Sequence, residues 1–74
     1  MELAEKLRIL RRDREFLEEE ACHAVTLREA IHPVASPRLY QETCARVAGL
    51  QKSIERKGEE IALLEKENRD GGQP

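Results

Sequence analysis

Apolar residues recur along this chain at alternating spacings of four and three, in two runs separated by a short segment holding Pro33 and Pro37. The first run is Leu3, Leu7, Leu10, Arg14, Leu17, Ala21, Ala24, Arg28 and Ile31. The second is Tyr40, Thr43, Val47, Leu50, Ile54, Lys57, Ile61, Leu64 and Asn68. Such spacing lines one edge of an α-helix and forms the seam of a coiled coil. Read backwards, the second run repeats the intervals of the first. Folding the chain at the prolines therefore zips the two seams together in layers whose residue numbers add to 71, from Ile31 with Tyr40 to Leu3 with Asn68. The fold this implies is all-α: a two-helix antiparallel coiled-coil hairpin, able to pair with another into a four-helix bundle.

Local signals place the boundaries. Residues 2–31 are mostly strong helix formers, without internal Gly or Pro. Pro33 stops that helix, because the residue before a proline disfavours helical geometry. Ser36 followed by Pro37 reads as a serine cap with proline in the first helical position. The second helix then runs over 37–68, weakened by Gly49 and Gly58 at roughly 1 kcal/mol each. A connection of residues 32–36 is short enough to force antiparallel neighbours. The domain is thus 1–69. Residues 70–74 are expected to be a flexible tail, with Gly71-Gly72-Gln73-Pro74 reading as a linker at the edge of a longer coiled-coil protein.

Within this register one layer is poor, since Arg14 meets Lys57 at the seam. Asp13 and Glu60 flank it, so a mixed cluster of Asp13 with Lys57 and Arg14 with Glu60 is expected. Further out, Lys6 should pair with Glu67. A parallel dimer would set Lys6 against Arg11 and Glu60 against Glu65, which favours the antiparallel arrangement by a few tenths of a kcal/mol per pair.

Composition limits the function. In 74 residues, 38% are charged and 3% aromatic, with a net charge of −2. Two helices bury little, so a second copy or partner helix is expected to complete a core, and the chain is expected to be a homo-oligomer. The charge balance does not suggest a nucleic-acid binder, although Arg8, Arg11, Arg12 and Arg14 form a basic cluster that could meet phosphates. Ordinary pairing with Glu15 and Glu18 on the same helix is the simpler reading. No apolar run is long enough for a membrane span. Cys22 and Cys44 read as reduced thiols of a cytoplasmic or nuclear protein. They lack the paired spacing of a metal site, and no residue set suggests a cofactor or a catalytic centre, so a non-enzymatic role is expected.

The candidate functional residues are apolar residues off the seam. Ile9 and Phe16 lie seven apart on the first helix. Leu63 comes level with Ile9, and Arg56 level with Phe16. An apolar centre bordered by Asp13, Lys57 and Glu60 is what a helix-binding or self-association surface looks like. Leu27, Val25, Val34 and Leu39 form a second apolar group, expected to pack the turn against the helix ends.

Some of these segments resemble a known family. Glu20-Ala21-Cys22 falls where many homology-region-one modules of Rho effectors carry Glu-Gly-Ala or Gly-Ala-Cys. His32-Pro33 through Ser36-Pro37, and Ser53-Ile54-Glu55-Arg56, are similar to the turn and second helix of the membrane-shaping adaptor branch. The resemblance implies an antiparallel coiled-coil finger that binds a small GTPase of the Rho type. From the residues alone, the expected function is a protein–protein interaction module, a scaffold or adaptor segment in a cytoskeletal or trafficking protein. A GTPase-effector domain and a nucleic-acid accessory protein are the alternatives.

Overall fold

The computed structural model describes residues 2–71, which form two helices packed side by side. Helix α1 spans Leu3–Ala30 and α2 spans Pro37–Gly71. The result is a thin rod of 62 × 16 × 14 Å. At 1.5 Å per residue the 35 residues of α2 are about 52 Å long, which sets most of that length.

The helix ends follow from backbone bonding and charge. At the start of α1, Glu2 is extended and its carbonyl accepts the Lys6 N–H at 3.0 Å. Glu5 in the first turn and Arg28 in the last complement the helix dipole. At its end, Ile31 is extended, and its N–H is shared between the carbonyls of Leu27 (3.1 Å) and Arg28 (3.3 Å). The helix thus stops one residue before the expected end, leaving Ile31 and His32 in the non-helical geometry that Pro33 demands. Helix α2 begins at Pro37 as expected but continues three residues past Asn68. No proline interrupts it there, and Arg69 in the last turn suits the negative helix end. Residues 70 and 71 are therefore helical rather than part of a tail, and the rest of the expected tail lies outside the described residues.

The turn is held differently from the sequence expectation. Ser36 contributes through its backbone, donating its N–H to the His32 carbonyl at 2.9 Å and accepting the Tyr40 N–H at 3.0 Å. The side chain that organises the turn is His32. Its Nδ1 accepts the N–H groups of both Val34 and Ala35 at 3.2 Å. That bond pair requires Nδ1 unprotonated and occupies two amides that the Pro33–Pro37 segment would otherwise leave to solvent.

Packing follows the seam. Leu7, Ala24, Val47 and Ile61 are buried, as is Thr43. Leu3, Leu10, Leu17, Ala21, Ile31, Tyr40, Leu50, Ile54 and Leu64 are half-buried. Asn68 alone of the seam positions is exposed. Thr43 resolves the cost of a hydroxyl in the seam by donating to the Leu39 carbonyl one turn back at 2.8 Å.

The Arg14 and Lys57 layer does not form the expected mixed cluster. Each cation turns along its own helix instead: Arg14 Nε lies 3.4 Å from Glu18 and Lys57 Nζ lies 3.7 Å from Glu60. The Arg14 Nε is buried and lacks hydrogen-bond geometry despite that ion-pair distance. Reaching across the seam would have desolvated both charges, whereas pairing along the helix keeps each acid in water. The cross-helix pair is also not Lys6 with Glu67. Arg11 reaches Glu65 at 3.4 Å in place of its own-helix neighbour Glu15. The pair adds to 76, so Arg11 reaches diagonally, about five residues beyond its own layer.

Candidate interaction surface

Each helix turns 100° per residue, so the seven-residue period can be lettered a to g with the seam at a and d. Positions e and b then fall to one side of the seam, and g and c to the other. In an antiparallel pair both helices present e and b to one flank, and g and c to the opposite flank. The observed neighbours obey this. Arg11 and Glu65, joined across the seam, are both e positions. On the other flank, Lys6 at g and Ile9 at c share a shallow hollow with the seam residues Leu10 and Leu64.

The two flanks differ in chemistry. Five large apolar side chains on the helices are exposed: Leu63 at 66%, Phe16 at 60%, Leu39 at 49%, Leu27 at 46% and Ile9 at 40%. All five are g or c residues. The e and b flank carries Ala4, Cys22, Ala48 and Ala62 at its exposed apolar positions. Chance scatter of surface hydrophobes is normal, but scatter does not select one flank on both helices.

The expected candidates are therefore placed on one side, though not in mutual contact throughout. Ile9 borders the hollow reaching Leu64 of α2, and Leu63 lies outside it. Phe16 stands two turns, about 10.5 Å, from Ile9 along α1. Arg56 is exposed and makes no ion pair among the described residues.

Leu27 and Leu39 belong to this surface and were assigned by sequence to packing at the turn. The structure corrects that: both are open, as is Val34, and only Val25 of that group is half-buried. The signal that places them was available. Leu27 immediately precedes Arg28 of the seam and Leu39 precedes Tyr40, so both are g residues.

Part of the charge on this flank is unpaired, while Glu42 pairs with Arg38 and Glu60 with Lys57. Lys6, Arg46 and Arg56, with Asp13, Glu20 and Glu67, form no ion pairs among the described residues. By contrast, three of the clustered arginines are engaged, Arg8 with Glu5, Arg11 with Glu65 and Arg14 with Glu18.

Other chemistry is sparse. Cys22 is exposed, Cys44 is half-buried, and both are free thiols. Among the described residues no group of three or more His, Cys, Asp or Glu side chains is placed to hold a metal ion, and no helix is long and apolar enough to cross a membrane. Compared with protein-family models, curated proteins and solved structures, the chain matches none.

Proposed function

We propose that this chain is a non-enzymatic protein–protein interaction hairpin, of the scaffold or adaptor kind, that works by presenting its g and c flank to another helical element. The observation that carries the reading is the confinement of Ile9, Phe16, Leu27, Leu39 and Leu63 to that flank. The seam already shields the residues that hold the two helices together. The flank residues lie outside the seam and expose apolar area beside unpaired charges, which is the composition of an interface core with a polar rim. The engagement of three clustered arginines by glutamates favours a protein partner over nucleic acid, since paired cations release fewer counterions on meeting phosphate.

The test is Phe16→Asp combined with Leu63→Asp. Both side chains are more than half exposed, so the variant should keep its helical circular dichroism. It should lose assembled mass in light scattering, or lose the helical proteins retained on the immobilised wild-type chain. Unchanged mass together with unchanged retention contradicts the proposal.

A further inference from the structure

We infer that the occupant of the g and c flank is a second copy of this chain, docked with its long axis reversed so that the turn of one hairpin lies over the open end of the other. The inference rests on the interaction reading above and adds the partner and its geometry.

The apolar residues of the flank are arranged symmetrically about the middle of the rod. On α1, Leu27 and Ile9 are centred on residue 18. On α2, Leu39 and Leu63 are centred on residue 51. In the layers adding to 71 that the heptad spacing predicts, residue 18 is level with residue 53. The two centres, taken from different helices, therefore agree to within two residues, about 3 Å. Phe16 lies two residues from the first of them. A two-fold axis across the rod at this level sets Leu27 over Ile9 of the second copy. It brings Leu63 within about one turn of the second copy's Leu39 and places the two Phe16 rings beside the axis. A closed, isologous dimer needs such a self-complementary patch.

The charges follow the same axis. It brings Arg46 level with Glu60 of the second copy, since their numbers are centred on residue 53. Arg46 makes no ion pair among the described residues, and Glu60 lies 3.7 Å from Lys57 of its own helix, with more than half its side chain exposed. Docking the rods in the same direction instead sets Asp13 beside the second copy's Glu60, offset by Lys6 beside its Glu67, and leaves Arg46 facing Leu27. Area agrees as well. A face of 62 by 16 Å offers on the order of 1,000 Å², against the ~800 Å² per partner that a stable complex typically buries. The product is a four-helix bundle in which each hairpin supplies one pair of helices.

Light scattering on the wild-type chain at micromolar concentration should give twice the 8.5 kDa monomer mass. Orientation is read by crosslinking in a Cys22→Ser, Cys44→Ser background with a short bis-maleimide. An equimolar mixture of a Leu27→Cys chain and an Ile9→Cys chain should crosslink at least about tenfold faster than either chain alone, because only the mixed pair is adjacent. Arg46→Glu should weaken the dimer roughly tenfold, and Arg46→Glu with Glu60→Arg should restore it. Efficient crosslinking of the Leu27→Cys chain to itself overturns the reversed arrangement. A monomeric mass overturns the second copy as occupant. If that monomer still retains helical proteins in a manner abolished by Phe16→Asp with Leu63→Asp, the interaction reading survives alone. If retention is insensitive to that change, both fall.

Discussion

The two flanks of this hairpin share one seam and one backbone geometry, yet they carry opposite chemistry. On the e and b flank, the exposed apolar positions are mainly alanines, and Arg11 and Glu65 tie the helices across the seam at 3.4 Å. On the g and c flank, five large apolar side chains stand open beside Lys6, Arg46 and Arg56, which make no ion pair among the described residues. A chain that needed only to close upon itself would be served equally by two polar flanks. The asymmetry is surplus to folding, and the proposed interaction rests on it. The interior teaches the complementary point. Leu7, Ala24, Val47 and Ile61 are all seam residues, so the fold rests on the seam and the flanks are free to differ.

The largest expected effect falls on that shared seam. Ile61 is 3% exposed, and Ile61→Ala should cost about 2–5 kcal/mol of stability in chemical denaturation, damaging both flanks together. A cost no greater than that of a flank substitution would break the distinction between what holds the fold and what decorates it. Next comes the charged layer. Replacing Arg14 and Lys57 together by Leu removes the buried, unbonded Arg14 Nε and extends the apolar seam. The double variant should gain about 1–2 kcal/mol, read as a rise in melting temperature. A loss would mean that the Glu18 and Glu60 pairs contribute more than their exposure suggests. The smallest effect sharpens the contrast between flanks. Ala48→Lys with Ala62→Lys places two charges on the e and b flank, as Phe16→Asp with Leu63→Asp does on the other. It should alter stability by about 0.5 kcal/mol or less and leave the assembled mass unchanged. Equal loss of mass from both changes would erase the asymmetry.

The fold was legible because a seven-residue period over two long runs is a global constraint. A shift of one residue in either helix would expose residues such as Val47 or Ile61, so the seam and the antiparallel pairing follow from the pattern. Surface ion pairs were not legible in the same way. Arg14 with Glu18, Arg11 with Glu65 and Lys57 with Glu60 win over their rivals by tenths of a kcal/mol, and periodicity does not rank such differences. The role of His32 was hidden for another reason. Serine and asparagine are the common side-chain acceptors at turns, and an imidazole accepting two amides depends on a local geometry set by Pro33. Of the candidate surface, Ile9, Phe16, Leu63 and Arg56 were placed on one side from their spacing. Leu27 and Leu39 were drawn to the turn by proximity in sequence, although their heptad positions assign them to the same flank. Proximity along the chain was the weaker guide, because a helix face is defined by angle.

The most direct test of the account is the distance between spin labels at Glu5 and Lys66, both exposed and both near the open end of the rod. A doubly labelled chain diluted into excess unlabelled chain reports only pairs within one molecule. The hairpin predicts a separation of about 20 Å, the span of two adjacent helices with their labels. A separation on the order of 90 Å, the length of one continuous helix between those residues, would contradict it.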